Sequence, residues 1–134
     1  MLRMDIMEKS IKERLIECAK EESKHSYSPY SEFSVGAALL CSDGEIYRGT
    51  NVENKSYGAT CCAERTAFFS AIADGKRDFS AIAIYADKNP CYPCGICRQV
   101  MAEHCKKDFL IYLCDGERII EESLDSLLPK SFDF

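Results

Sequence analysis

Two short motifs contain the residue types and spacings of this sequence that could bind a metal. The first is Pro93-Cys94-Gly95-Ile96-Cys97, and the second, earlier in the chain, is Cys62-Ala63-Glu64. Two cysteines three positions apart at the start of a helix lie on one face, close enough to share a metal ion. The unpaired N–H groups at such a helix start also favour thiolate over thiol. By itself, however, a C-x-x-C motif is as typical of a structural zinc site or a redox-active dithiol.

A third cysteine, at position 62, changes this interpretation, because three thiolates leave one position of a tetrahedral zinc open. An open position is typical of catalytic rather than structural zinc. Glu64 lies in the first turn of the predicted helix, so its carboxylate can face the open position without binding the metal and can carry protons. The predicted metal ligands are therefore Cys62, Cys94 and Cys97, and the predicted catalytic residue is Glu64. Cys91, which forms a second C-x-x-C with Cys94, is an alternative ligand, although it precedes the helix.

Length, charge and hydropathy exclude several classes of protein. The chain has 134 residues, of which 46% are hydrophobic, and a formal net charge of −5 from 22 acidic and 17 basic residues. A surface that tracks phosphates needs a basic excess, so we expect a small molecule as partner and no nucleic acid. No stretch approaches the roughly 20 apolar residues of a membrane span, and none is typical of a signal peptide. We therefore expect a cytoplasmic protein without a membrane partner, whose nine cysteines bind metal or do chemistry rather than form disulfides.

The elements that must position these motifs alternate along a single predicted domain, residues 1–134. Hydrophobic periodicity and turn signals predict helices over residues 4–23, 62–74, 94–107 and 123–128, and strands over residues 33–41, 45–52, 79–86, 109–114 and 117–120. Asp-Gly pairs at residues 43–44 and 115–116 predict two hairpins. This order predicts an α/β fold, a three-layer α-β-α sandwich with a mixed five-stranded sheet. Both cysteine motifs follow a loop after a strand, so the two helix starts can meet at one end of the sheet.

Several further blocks make the chain similar to the zinc-dependent cytidine and deoxycytidylate deaminase superfamily, and most of all to its small homotetrameric cytidine deaminases. The blocks are Tyr30 with residues 33–38, residues 49–54, 62–67 and 93–99, and residues 127–129 with Phe132. They span nearly the whole chain, and their combination is far more specific than any one of them. Cysteine at position 62, where polynucleotide-editing and deoxycytidylate deaminases usually carry histidine, and the tight final hairpin favour a free nucleoside as substrate. The resemblance therefore implies a cytidine deaminase-like fold.

The resemblance also implies a reaction and a role for each matching residue. The reaction is hydrolytic deamination of cytidine and deoxycytidine to uridine and deoxyuridine plus ammonia, with Zn²⁺ as cofactor, in pyrimidine salvage. The implied substrate-binding residues are Phe33 on the pyrimidine ring, Asn51 and Glu53 on the ribose 3′-hydroxyl, the Ala63 N–H on the base carbonyl, and Tyr57 and Phe132 across subunit boundaries. Arg65 resembles an arginine that donates to the ligand thiolates, and Arg98, next to Cys97, is expected to assist it. The implied assembly is a homotetramer with shared active sites.

Alternatives remain for the function and for individual residues. The enzyme could act on another small nucleoside such as blasticidin S, or the chain could be a zinc-binding or thiol-redox module without catalysis. Phe33 would by default be a core strand residue, and Phe132 could belong to a frayed tail. Asn51 and Glu53 could cap a turn or face solvent. Turnover of cytidine separates the catalytic from the non-catalytic interpretation.

Overall fold

Helices cover both faces of one five-stranded sheet in the computed structural model, which describes residues 10–132. The helices are α1 (Ile11–Ser23), α2 (Ala63–Ala73), α3 (Gly95–His104) and α4 (Leu124–Leu127), with a 3-10 turn at Tyr57–Ala59. The strands are β1 (Gly36–Cys41), β2 (Ile46–Thr50), β3 (Phe79–Tyr85), β4 (Leu110–Cys114) and β5 (Ile119–Ser123). Residues 4–9 of the predicted first helix lie outside the described residues. The order of helices and strands is the predicted one.

The sheet is mixed, and its strand order is β2-β1-β3-β4-β5. β1 pairs antiparallel with both β2 and β3, and β4 pairs antiparallel with β5. β3 and β4 pair in parallel, and α3 connects them, because parallel neighbours need a crossover to return the chain. The predicted Asp-Gly turns lie between the strands of the two hairpins, at residues 43–44 and 115–116. The α/β fold with a mixed five-stranded sheet is therefore confirmed.

Successive strand residues face opposite sides of the sheet, which gives the molecule two apolar cores. On one side, α1 packs Leu15 and Ala19 against Ala38 of β1. On the other side, α2 and α3 cover a larger core around Phe68 and Met101. The sheet contributes to this core Leu39, Ile82, Ile84, Ile111 and Leu113. The three-layer arrangement is therefore confirmed, and the helices that carry the cysteine motifs lie in the same layer.

Two glycines let helices lie directly on the sheet. A Cβ at Gly36 of β1 would lie 1.9 Å from the Ala19 carbonyl oxygen of α1. A Cβ at Gly49 of β2 would lie 2.4 Å from both the Ala63 carbonyl oxygen and the Ala67 nitrogen of α2. Real Cβ atoms essentially never come within 3.0 Å of such atoms, so glycine alone fits at either position. Gly49 therefore sets the distance between β2 and the start of α2.

The first strand is shorter than predicted, because a side chain takes the place of a neighbouring strand as hydrogen-bond partner at its start. β1 starts at Gly36 rather than at residue 33. The Phe33 carbonyl and the Val35 N–H are bonded to the Asn51 side chain, at 2.8 Å and 3.0 Å. A backbone that bonds a side chain in this way does not need a partner strand.

The last strand begins later than predicted, at Ile119 rather than at residue 117. The Asp115 carboxylate accepts the N–H groups of Glu117 and Arg118, at 3.0 Å and 2.9 Å. Aspartate commonly closes a turn in this way, so residues 117 and 118 belong to the turn and not to the strand.

Candidate metal centre and active site

Three cysteine thiols meet where α2 and α3 begin. Cys62 is the N-cap residue of α2, Cys94 is the N-cap residue of α3, and Cys97 lies in the first turn of α3. Their sulfur atoms all lie within 4.8 Å of one another, and 3.9 Å separates Cys62 Sγ from Cys94 Sγ. The Cys94 sulfur also accepts the Cys97 backbone N–H at 3.5 Å, as the side chain of an N-cap residue does. The structure thus brings together the three cysteines of the two motifs.

The chemistry and spacing of these sulfurs fit a zinc ion. Zn–S bonds of about 2.3 Å in a tetrahedral arrangement separate neighbouring sulfurs by about 3.8 Å, close to the distance between Cys62 and Cys94. Three thiolates leave a fourth position for water or substrate. The Cys91 sulfur does not lie within 4.8 Å of all three, so Cys91 does not belong to this group. All nine cysteines lie within residues 10–132 and none of them forms a disulfide there, so the three thiols are available to a metal.

Hydrogen bonds within the cluster already favour a thiolate at Cys62. The neighbouring Cys97 thiol, the Arg65 guanidinium and the Cys94 thiol all stabilise negative charge on Cys62, and they lower its pKa to about 5. The pKa of Cys97 is raised, because its thiol holds the proton that is shared with Cys62 and is buried. A divalent cation that binds all three sulfurs displaces these protons, so we expect metal affinity to rise with pH.

Arg65 supplies positive charge to the cluster. Its Nη2 lies 3.5 Å from Cys62 Sγ and 3.4 Å from the Thr60 carbonyl oxygen. Three thiolates outweigh the charge of a divalent zinc, and a neighbouring guanidinium offsets the excess negative charge. Arg65 therefore lies within hydrogen-bond distance of the Cys62 sulfur.

Arg98 has different partners from those expected. Its Nε donates to the Pro93 carbonyl oxygen at 2.7 Å, and its Nη1 donates to the Leu127 carbonyl oxygen at 2.6 Å. The sequence predicts that Arg98 assists at the thiolates, whereas these hydrogen bonds go to two backbone carbonyls. Arg98 therefore braces the backbone before α3 against the end of α4.

A buried carboxyl group lies beside the sulfur cluster. Glu64 is the second residue of α2, two positions after Cys62, and only 3% of its surface is exposed. Burial, together with the negative charge at Cys62, raises the pKa of Glu64 to about 7, although its own backbone N–H and the Arg65 charge oppose the shift. A carboxyl group with a pKa near neutrality can both accept and donate a proton. The arrangement can therefore move protons next to a metal.

The segment that follows β2 runs beside the cluster. Val52 exchanges two backbone hydrogen bonds of 2.9 Å with Cys61, the residue before Cys62. This bridge places Asn51 and Glu53, on either side of Val52, at the same end of the sheet as the three sulfurs.

Asn51 and Glu53 are both bonded to the loop before β1. Asn51 Oδ1 accepts the Val35 N–H, and its Nδ2 donates to the Phe33 carbonyl oxygen. Glu53 Oε1 accepts the Tyr30 N–H at 2.9 Å. The Phe33 side chain is half-buried and packs against the larger core. Phe33, Asn51 and Glu53 are therefore parts of one hydrogen-bonded unit.

The remaining candidate residues lie at different depths. Ala63 is fully buried at the first position of α2. Tyr57 is 79% exposed and lies edge-on to Tyr30, with the ring centroids 6.4 Å apart. These two rings and Glu53 line a shallow cavity of about 270 Å³. Phe132 is 66% exposed and lines a separate cavity beside α3 and α4.

Sequence reasoning missed one residue of this region, Ser31. Its hydroxyl donates to Glu53 Oε2 at 2.5 Å and accepts the Phe33 N–H at 3.1 Å. A serine in a turn-prone stretch often bonds the N–H two residues later, so the Ser-Glu-Phe spacing was the available signal for the second bond. The bond to Glu53 has no local signal.

Comparisons with known proteins agree with this geometry. Residues 9–113 match the family model described as the zinc-binding region of cytidine and deoxycytidylate deaminases. A cytidine deaminase of Sporosarcina psychrophila is 51% identical over 122 residues, which cover 90% of each chain. The crystal structure of cytidine deaminase from Burkholderia pseudomallei has a TM-score of 0.85 and 47% identity, and the match covers 89% of this chain and 97% of that one. A blasticidin-S deaminase of Bacillus cereus is 28% identical over 127 residues, which cover 88% of this chain and 89% of that one.

Proposed function

The chain belongs to the cytidine and deoxycytidylate deaminase family, and we propose that it deaminates cytidine and deoxycytidine by hydrolysis. The products are uridine or deoxyuridine and ammonia, and zinc is the cofactor. The observation that carries this function is the cluster of three cysteine sulfurs with a buried carboxyl group beside it. The non-catalytic zinc or thiol module is thereby set aside in favour of a hydrolytic enzyme.

In this proposal Cys62, Cys94 and Cys97 hold the zinc ion, and Arg65 offsets the excess negative charge of their thiolates. When bound, zinc supplies a Lewis acid that makes water a nucleophile at neutral pH. Three thiolate ligands from two helix starts would leave a fourth coordination position of the ion for the reacting molecules.

Glu64 carries the protons of the reaction. Its carboxylate accepts a proton from the attacking water and passes it to ring nitrogen N3, while the water oxygen forms a bond to C4. It then accepts the remaining proton from the new C4 hydroxyl and transfers it to the amino group, so that the C4–N bond breaks as the C4=O bond forms, and ammonia leaves. Burial suits Glu64 to this role, because a pKa of about 7 lets the same group accept and release protons.

The residues around the cluster hold the nucleoside. Phe33 packs on the pyrimidine ring, and the Ala63 N–H binds the base carbonyl oxygen. Asn51 and Glu53 bind the ribose 3′-hydroxyl, which cytidine and deoxycytidine both carry. The support for these roles is the hydrogen-bonded unit beside the cluster together with the resemblance of the sequence blocks.

We further propose a homotetramer with shared active sites, of which each chain is a single domain spanning residues 1–134. Tyr57 and Phe132 are large aromatic side chains that are mostly exposed, and such residues are enriched where subunits meet. They would contact nucleoside bound to a neighbouring subunit. Among residues 10–132, no helix has the length and apolar character to cross a membrane. A cytoplasmic location and a role in pyrimidine salvage complete the proposal.

The decisive experiment is Glu64→Gln, which keeps the size of the side chain and removes its ability to carry a proton. We expect the turnover of cytidine, followed by ultraviolet absorbance, to fall about 10²- to 10⁴-fold. Zinc content and thermal unfolding should match those of the unmodified protein. Glu103→Gln removes the same charge from an exposed position of α3 and is the matched control. Near-normal turnover by Glu64→Gln would show that the mechanism is wrong.

Deamination of blasticidin S is the second candidate, because a blasticidin-S deaminase is also similar to the chain. We prefer cytidine as the substrate, because the cytidine deaminase of Sporosarcina psychrophila is 51% identical to the chain, whereas the blasticidin-S deaminase is 28% identical. Turnover of the two compounds under the same conditions separates the candidates. A higher kcat/KM for blasticidin S would replace the present assignment.

A further inference from the structure

The Ser31 hydroxyl connects two residues of the proposed substrate site. It donates to Glu53 Oε2 at 2.5 Å and accepts the Phe33 N–H at 3.1 Å. The other carboxylate oxygen of Glu53 accepts the N–H groups of Tyr30 and Ser31, at 2.9 Å and 3.1 Å. Three hydrogen bonds from two adjacent residues therefore hold the Glu53 carboxylate in one orientation.

The backbone next to Ser31 is built around these contacts. Glu32 has a φ of 55°, in the left-handed region that residues other than glycine seldom adopt. Its N–H donates to the Ser28 carbonyl oxygen at 3.0 Å, which closes the turn before it. Such conformations persist where the surroundings hold them and are concentrated at functional sites. The turn places the Ser31 hydroxyl between Phe33 and Glu53.

These hydrogen bonds leave the Glu53 carboxylate with few free acceptor positions. A carboxylate accepts about four hydrogen bonds, and three acceptor positions of Glu53 are taken. Counting only partners among residues 10–132, one acceptor position on Oε2 remains. The Ser31 hydrogen bond is also the main reason that the pKa of Glu53 is lowered, which keeps this position negatively charged.

Most hydrogen-bonding positions of the Asn51 side chain are also occupied. Its Oδ1 accepts hydrogen bonds from Val35 N–H at 3.0 Å and from the Ser26 hydroxyl at 2.6 Å. Its Nδ2 donates to the Phe33 carbonyl oxygen at 2.8 Å, so that one N–H is left over within the part of the chain that the structure describes. Asn51 and Glu53 together thus offer one donor and one acceptor. A single hydroxyl group, which both donates and accepts, fits this pair.

We propose that Ser31 is a positioning residue of the sugar subsite, whose hydroxyl fixes the Glu53 carboxylate so that its remaining acceptor position meets one sugar hydroxyl. The proposal rests on the function and on the Asn51 and Glu53 roles proposed above. Ser31 itself does not touch the substrate. Without the Ser31 hydroxyl, the Glu53 carboxylate can rotate. Binding of a sugar hydroxyl then carries the entropic cost of ordering that carboxylate.

The test compares Ser31→Ala with the unmodified enzyme on two substrates, deoxycytidine and 2′,3′-dideoxycytidine, which differ only in the 3′-hydroxyl. We expect kcat/KM for deoxycytidine to fall about tenfold, mainly through a higher KM, because a hydrogen bond to a charged group is weakened. For dideoxycytidine the expected change is less than about twofold, because that substrate cannot use the Glu53 contact.

Two further variants separate positioning from a general structural role. Ser31→Thr keeps the hydroxyl and should keep the preference for the 3′-hydroxyl. Ser42→Ala removes an exposed hydroxyl at the far end of β1, whose contact is with Ser80, and it should leave kcat/KM for both substrates unchanged. Equal losses by Ser31→Ala on the two substrates would mean that Ser31 acts through Phe33 or the fold, and would overturn the proposal. An unchanged kcat/KM on both would do the same.

Product binding makes the test independent of turnover. The affinities of deoxyuridine and 2′,3′-dideoxyuridine, measured by calorimetry, should differ less for Ser31→Ala than for the unmodified protein. If the unmodified protein deaminates neither nucleoside, the proposed function fails, while this comparison still decides the role of Ser31. Binding that discriminates equally in both proteins, or no binding of either product, would overturn the role of Ser31.

Discussion

Adding one methyl group at Gly49 should displace the start of α2, which carries Cys62 and the proposed proton carrier Glu64, relative to Cys94 and Cys97 of α3. The new Cβ of Gly49→Ala would lie 2.4 Å from the Ala63 carbonyl oxygen and from the Ala67 nitrogen. Ordinary van der Waals contact begins at 3.4 Å, so α2 must retreat from β2 by about 1 Å. Both obstructing atoms belong to the helix backbone, so no side-chain rotation can relieve the clash. The retreat carries Glu64 with it.

The magnitude has a stability part and a catalytic part. Overpacking typically costs about 1–3 kcal/mol, and a clash with two backbone atoms belongs at the upper end, about 3 kcal/mol. For a domain of this size that lowers the unfolding temperature by about 10 °C. A misplacement of about 1 Å in an active site can cost about 100-fold in rate. We therefore expect kcat/KM for cytidine to fall about 100-fold in enzyme that is still folded.

Two other glycines provide matched controls. Gly36→Ala clashes with α1 on the opposite face, where the new Cβ lies 1.9 Å from the Ala19 carbonyl oxygen. It should destabilise the protein at least as much, yet leave α2 in place and kcat/KM nearly unchanged below the unfolding temperature. Gly58→Ala has no atom within 4 Å of the new Cβ and should change the unfolding temperature little. Thermal unfolding, zinc content and cytidine turnover of all three variants form the assay.

Two results would refute this reasoning. If Gly49→Ala unfolds at the temperature of the unmodified protein, α2 does not lie as close to β2 as the structure shows. If Gly36→Ala loses as much kcat/KM as Gly49→Ala, the loss of activity comes from general destabilisation rather than from displacement of Cys62 and Glu64 at the start of α2.

Two further variants test contacts at the edges of the site. Arg98→Ala removes the donor to two backbone carbonyls, and we expect thermal unfolding to show a loss of about 3 kcal/mol of stability. Arg118→Ala, which breaks an exposed ion pair, is the control and should have little effect. Equal losses of stability in the two variants would contradict the bracing role of Arg98. Hydrogen bonding from Ser31 lowers the pKa of Glu53, so the stability that Glu53 contributes is complete above its ordinary pKa of 4.5 and is lost as pH falls through the lower folded-state value. We therefore expect the free energy of unfolding, measured in urea, to fall less between about pH 5 and pH 3 for Glu53→Gln than for the control variant Glu103→Gln. Identical pH profiles of the two variants would contradict this prediction.

Much of the fold could be predicted from the sequence, because its signals are local. The Asp-Gly pairs and the alternation of strands with helices indicate the order of elements and the mixed sheet. The first and last residues of a strand or helix are harder to predict when a side chain distant in sequence decides them. β1 begins late because Asn51 bonds the Phe33 carbonyl, and these residues lie 18 positions apart.

The candidate site shows the same division. The candidate metal ligands could be predicted from residue types and from the helix-start spacing of Cys94 and Cys97, and the neighbouring carboxyl from its register with Cys62. The partners of Arg98 were not predictable, because the Leu127 carbonyl lies 29 positions away and any donor of suitable length could reach it.

The sequence by itself determined which chemistry this protein can perform, since ligand type and spacing within one helical turn depend only on neighbouring residues. The tertiary structure decided how that chemistry is arranged. Cys62 meets Cys94 only because α2 and α3 pack on the same face of the sheet, with α2 held close to β2 at Gly49. Glu53 is oriented by Ser31, 22 positions away, through a contact with no local signature. Such long-range contacts follow from packing of the whole chain, and no stretch of sequence encodes them alone.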